Sequence, residues 1–223
     1  MKQYFSLQQL IFIIALWPIA SILFTLINNT FGANPVEEII HHFGKWTLIF
    51  TCLTLSITPL RRITKSNIWL PFRKTLGLFT FFYASIHLLS YIGLDHHFDW
   101  NLILQNTIKH KYVWVGVVAW LLLVPLAITS TKKMKIVLKD NWFKLHRLIY
   151  VIAILGVLHY LWLVKKDITQ PVIYGLIIGI LFLLRIRFKK IKLWNTVLCF
   201  CFVLFLLLCC TELPNRVLAV HYL

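Results

Sequence analysis

Acidic side chains are scarce in this chain: 7 Asp and Glu stand against 23 Lys and Arg in 223 residues, a formal charge of +16. Long polar stretches are missing too. Once apolar runs of membrane-spanning length, about 20 residues, are set aside, no connection is long enough to form a separate water-soluble domain. No series of alternating ten-residue segments is present, which excludes a transmembrane β-barrel. The N-terminus lacks a short apolar core followed by a small-residue cleavage site, so residues 7–27 are expected to form a first span rather than a removed signal. None of the cysteines (Cys52, Cys199, Cys201, Cys209 and Cys210) lies in a loop. The Cys-x-Cys and Cys-Cys pairs have no second pair or nearby His to complete a zinc site, so the cysteines read as small buried hydrophobes.

What is present is apolar surface. The chain is 60% hydrophobic with a mean hydropathy of +0.80, whereas a soluble domain is nearer 45–50% apolar. In lipid only helices and closed barrels satisfy the backbone, so the fold class is an all-α integral membrane protein. Spans are expected at about 7–27, 44–60, 75–94, 112–129, 144–165 and 171–187, a six-helix transmembrane bundle. A further apolar run, 193–211, is long enough for an additional C-terminal hydrophobic helix, so residues 1–192 form one domain and 193–223 an added segment. Pro18 should kink the first span. Asn34 as cap, Pro35 at the first helical position and Glu37 at the third start a helix outside the membrane that carries His41 and His42 towards the second span. Pro59, Arg61 and Arg62 are expected to end that span.

The excess of positive charge does not indicate nucleic acid, because Lys and Arg sit in short loops between spans. Lys2, the loops 61–74 and 132–147 and the stretch 185–192 hold 17 of them; the opposite side holds 6. By the positive-inside rule the N-terminus is cytoplasmic.

Histidines inside the spans are functional-site candidates by default. His87 and His159 lie near the outer ends of spans three and five, which run in the same direction. Two imidazoles at one depth on neighbouring helices fit the axial ligands of a b-type haem. Gly156, three residues before His159, is expected to let a flat macrocycle approach. His146 lies at the inner end of span five. Its depth on span three corresponds to Arg73 or Lys74, not to a histidine. An inner haem would need His146 alone, an unusual second ligand such as Arg73, or water. Thirteen residues also turn an ideal helix by about 220° beyond whole turns, so His146 and His159 share a face only if the helix bends. His96, His97 and His110, in the loop 95–111, are expected to be solvated; His41 and His42 read as interface residues or the border of a quinone or partner site.

Taken in order, Gly32-Ala33-Asn34-Pro35-Val36-Glu37, Ile57-Thr58-Pro59-Leu60, Leu76-Gly77-Leu78, His87-Leu88-Leu89-Ser90-Tyr91, Ala127-Ile128-Thr129-Ser130 and Leu145-His146-Arg147-Leu148-Ile149-Tyr150, followed by Leu158-His159-Tyr160-Leu161-Trp162, resemble the MsrQ (YedZ) family over roughly residues 8–192. This is the haem-binding membrane subunit of a bacterial periplasmic protein-methionine-sulfoxide reductase system, within the ferric-reductase-like transmembrane superfamily. The resemblance implies one or two b haems, FMN, and a place in the bacterial inner membrane in contact with lipid. It implies a cytoplasmic flavin reductase or the quinone pool as donor. The implied acceptor is a periplasmic molybdopterin-containing methionine-sulfoxide reductase that repairs oxidised envelope proteins. His87, His146 and His159 match the family's haem-associated histidines, and Arg73 matches its span-three arginine. The chain is then an electron-transfer subunit rather than the catalytic one. Two other readings compete: a stand-alone ferric or quinone reductase-type membrane cytochrome b, and a small non-redox transporter or scaffold.

Overall fold

A computed structural model of the chain describes residues 2–164 and 167–185; the expected helix at 193–211 lies outside these. Every element described is helical. Five helical stretches are long and apolar enough to cross a membrane: Leu7–Ile27, Pro35–Thr64, Asn67–Asp95, Lys111–Ile128 and Asp140–Leu163. A shorter apolar helix, Thr169–Leu183, follows. The chain is a multi-pass membrane protein.

The first span is two helices, α1 (Lys2–Ala15) and α2 (Trp17–Ile27), broken just before Pro18. Ile19 and Ala20 both direct their N–H groups to the Leu16 carbonyl, so the carbonyl of Ala15 loses its helical partner. The Tyr83 hydroxyl, fully buried, donates to it at 2.6 Å. A sequence break is thereby satisfied by a side chain 68 residues away.

Helix α3 (Pro35–Thr64) starts as expected: the Asn34 side chain accepts from the Glu37 N–H and donates to the Glu37 carboxylate. Its 30 residues span about 45 Å at 1.5 Å per residue, more than the roughly 30 Å hydrocarbon core. The extramembrane helix and the second span are therefore one element. Its expected end at Pro59 is corrected by the structure, because the helix runs on to Thr64. Proline has no N–H to return to the carbonyl four residues earlier, and that carbonyl, Leu55, accepts instead from Arg185 Nη2 at 2.7 Å.

Helix α4 (Leu70–Ser90) carries His87 and passes through a π-helical turn at Tyr91–Asp95. The expected loop 95–111 contains a helix, α5 (Trp100–Lys109), capped by Asp99. Helix α6 (Lys111–Ile128) returns to the basic end, where α7 (Lys132–Leu138) and α8 (Asp140–Leu145) are short. The expected fifth span is interrupted at His146 and Arg147; α9 proper is Leu148–Leu163. Helix α10 (Thr169–Leu183) closes the described bundle.

The packing is pairwise, α3 on α4 and α6 on α9, with α10 against α9 and α3. One core joins Leu48, Cys52 and Leu55 of α3 to Leu123, Ile152 and Ile178 of the other helices. A second is aromatic: Phe43, Phe50, Phe79 and Tyr83 stack at 5.3–6.0 Å between ring centres. Phe24, Ile27 and Leu176 are exposed, as lipid-facing positions are, since lipid tails are as apolar as leucine.

Candidate functional site

The two α3–α4 and α6–α9 pairs each present one imidazole to a shared cavity of about 1080 Å³, at the end of the bundle opposite the basic loops. His87 Nδ1 is 2.8 Å from the Ile40 carbonyl and His159 Nδ1 is 2.7 Å from the Tyr112 carbonyl. A carbonyl only accepts, so in both rings Nδ1 carries the proton and Nε2 holds the lone pair. Each histidine thus has one nitrogen anchored and one suited to a metal, the orientation that second-shell partners impose on ligating histidines. The ring centres are 6.0 Å apart at an interplanar angle of 85°. Two metal–nitrogen bonds of about 2 Å, with half a ring on each side, make about 6 Å.

The supporting residues repeat. In both pairs the accepting carbonyl lies 47 residues before the histidine, and a glycine four residues after that carbonyl backs the ring. A Cβ at Gly44 would stand 3.0 Å from His87 Cε1; one at Gly116 would stand 2.8 Å from His159 Nδ1. Gly44 precedes His87, and Gly116 precedes His159, by the same 43 positions. Each helix pair is one unit in which an upstream carbonyl and a glycine fix the downstream imidazole. Sequence reasoning missed Gly44 and Gly116, although their equal spacing to the histidines was a legible signal. Gly156 has a second neighbour besides the cavity. It does line the cavity, but the nearest atom to an added Cβ is Leu48 Cδ2 at 3.0 Å, so its missing side chain makes room for α3.

The remaining histidines separate. His42 bridges α3 to the broken first span through its Nε2, 3.0 Å from the Pro18 carbonyl and 3.3 Å from Ser21 Oγ. His97 and His110 are exposed as expected. His96 is not solvated: it is buried, with Nδ1 beside the Tyr91 carbonyl and Nε2 at 2.8 Å from Asn106 Nδ2. The π-helical turn folds it back against the bundle.

His146 is far from this pair in character. It caps α8, stacks on Trp142 at 3.9 Å and has Nδ1 engaged by the Trp142 carbonyl. Among the described residues no second histidine faces it; the nearby charge is Arg73. The helix breaks at His146 and Arg147, which leaves His146 outside α9. Arg185 donates to the Tyr150 hydroxyl, lies over the Tyr150 ring at 5.0 Å and holds the Leu55 carbonyl. Sequence reasoning counted Arg185 only as a topological charge.

The family described as ferric reductase like transmembrane component matches residues 43–157, a range that contains His87, both backing glycines and His146 and ends two residues before His159. A relative from Herminiimonas arsenicoxydans is 45% identical over 183 residues, 81% of this chain and 84% of its own length. The chain belongs to the MsrQ family. That relative is named protein-methionine-sulfoxide reductase heme-binding subunit MsrQ. The MsrQ proteins of Xanthomonas campestris pv. campestris (strain B100) and Xanthomonas euvesicatoria pv. vesicatoria (strain 85-10) carry the same name. They are 50% and 47% identical, over 69% and 76% of this chain and 71% and 77% of theirs. No solved structure matches the chain.

Proposed function

We propose that this MsrQ-family chain is a transmembrane electron-transfer subunit. It holds b-type haem between His87 and His159 and passes electrons to a methionine-sulfoxide reductase that repairs oxidised proteins. The observation that carries this reading is the facing pair of imidazoles, each with Nδ1 tied to a backbone carbonyl and backed by a glycine. The residues fit the group: two imidazoles with ring centres 6.0 Å apart line one large cavity, and their Nε2 atoms would hold a haem iron. Among the described residues no cluster of three His, Cys, Asp or Glu side chains forms a metal cage.

Haem supplies reversible one-electron chemistry; the protein supplies position and dielectric. The anchored imidazoles of His87 and His159 would hold the group through Nε2, and the apolar walls from Ala84, Leu123 and Ile152 would exclude water from it. The mouth of the cavity carries Glu37, Glu38 and Asp95, a local reversal of a strongly positive chain. We assign this mouth to the periplasmic side of the bacterial inner membrane and the N-terminus and basic loops to the cytoplasm, by the loop-charge asymmetry. The acceptor is then a soluble periplasmic molybdopterin enzyme. The donor, a flavin reductase or quinol, delivers electrons to the cytoplasmic side, where FMN is the second cofactor. Residues 1–192 are the redox unit on this reading.

Purified protein expressed with ample haem should show the spectrum of a six-coordinate low-spin b haem. His87→Ala and His159→Ala should each lose that spectrum or convert it to high spin. Wild-type protein without a Soret band, or an unchanged spectrum in both variants, refutes the reading.

A further inference from the structure

Besides His87 and His159, the titratable groups that line the cavity among the described residues are few. Helix α3 supplies Glu37, Glu38, His41, His42 and Lys45, the end of α4 and its π-helical turn supply Tyr91 and Asp95, α6 supplies Tyr112 and α9 supplies Tyr160. Carboxylates, ammonium groups and phenols change charge well away from neutral pH, whereas imidazole changes it there. Of the two histidines, His42 is turned to the first span, with Nε2 on the Pro18 carbonyl. His41 is open to water, its side chain 49% exposed, and its Nε2 lies 4.0 Å from Glu37 Oε1 one turn back. It also directly follows Ile40, whose carbonyl anchors His87. The charge of His41 bears on both His87 and His159, and no other group outside that pair acts on both.

We infer that His41 links protons at the cavity mouth to the redox state of the imidazole site: it binds a proton as the site gains an electron and releases it as the electron leaves. The inference rests on the haem reading proposed above. A site that takes up one electron loses one unit of positive charge, so a cation beside it favours the reduced state. Coupling of this kind is reciprocal: the factor by which the proton favours reduction is the factor by which reduction tightens the proton. The balance is one electron from the donor and one proton from water at the mouth, taken up on the His41 imidazole, and both given up when the acceptor is reduced. Reduction of a sulfoxide to a thioether and water consumes two electrons and two protons, so two such cycles release both at the same mouth. Glu37 supports the charged form of the imidazole, because an adjacent carboxylate favours it. His41 is then a positioning charge for the redox site, and its exposed ring is not needed for packing.

The test is a redox titration of the full-length protein in nanodiscs, read from the haem absorption bands at a series of pH values between about 5 and 8. In the wild type the equilibrium constant for reduction should fall about tenfold across that range, a drop of about 59 mV for a one-electron couple. His41→Gln should remove the dependence and hold the potential near its high-pH value. His41→Lys, which keeps a positive charge throughout, should be equally flat but near the low-pH value. Lys45→Gln removes a charge that does not titrate in this range, so it should lower the potential evenly and leave the slope. Glu37→Gln should move the fall to lower pH. An unchanged low-spin spectrum in each variant reports folding. Two results overturn the inference alone: a low-spin wild-type haem whose potential ignores pH, or a His41→Gln protein that keeps the wild-type dependence. Wild-type protein without a haem band overturns the haem reading and this inference together.

Discussion

Gly116→Ala is the sharpest perturbation of the imidazole pair. The added methyl carbon would lie 2.8 Å from His159 Nδ1 and 2.9 Å from Cε1. Non-bonded carbon contacts sit at about 3.5–4.0 Å, so the ring must retreat by roughly 0.7 Å or more. Its neighbour on that side is the Tyr112 carbonyl, 2.7 Å from Nδ1, and the same retreat stretches this bond to about 3.4 Å, past useful hydrogen-bond length. The lost bond costs about 0.5–1.5 kcal/mol and the forced repacking about 1–3 kcal/mol. The chemical result matters more: an unanchored imidazole changes tautomer and tilt, so axial ligation weakens. Gly44→Ala is the graded control, with contacts of 3.0 and 3.1 Å to His87, and should show the same effect at smaller size. Gly156→Ala meets only the end of the Leu48 side chain and Gly179→Ala meets nothing within 4 Å. Haem content, spin state by electron paramagnetic resonance and midpoint potential are to be measured on all four. The expected order of disturbance is Gly116, Gly44, then Gly156 and Gly179 near wild type. A Gly116→Ala protein with wild-type low-spin haem and potential would refute the argument that these glycines set the rings.

Tyr83→Phe removes the donor to the Ala15 carbonyl and strands that group in the core, for a loss of about 1–3 kcal/mol; a lowered Tm with unchanged haem spectrum is expected, and equal stability would contradict the pairing. Pro59→Ala restores an N–H that competes with Arg185 for the Leu55 carbonyl, so the helix grows more regular and hydrogen exchange across residues 55–60 should slow; faster exchange would contradict this account of the break. His96→Ala should lower stability without touching the haem spectrum, because His96 tethers the π-helical turn to Asn106; a spectral change would place it in the redox site. Hydrogen bonds from Thr169 hold the Asp167 carboxyl below the usual carboxylate range. A depressed folded-state value means that this cap on α10 is present above the unfolded pKa and lost as pH falls through the folded one. The protection of amides at the start of α10, relative to their intrinsic exchange rate, should fall only in acid, and its loss at neutral pH would contradict the cap.

Particular residues mark where sequence reading succeeded. The spans, the Asn34 start of α3, the break at Pro18 and the facing of His87 and His159 were all legible, because hydropathy, capping chemistry and depth along a helix are local quantities. The misreadings share one cause. Pro59 looked like a stop because its N–H is missing, but Arg185 supplies the bond from 130 residues away. His96 looked solvated because its neighbours are polar, but a π-helical turn buries it.

The amino-acid order by itself determined that this protein is helical and membrane-spanning, and that two histidines stand at one depth. Water's rejection of apolar runs and the lipid's rejection of unpaired backbone leave no other outcome. Only the tertiary structure decided which nitrogen of each histidine is bound, which glycines hold the rings, and that Arg185 answers the carbonyl that Pro59 leaves open. Those facts depend on carbonyls and side chains brought together from distant helices, and no local propensity encodes such a meeting.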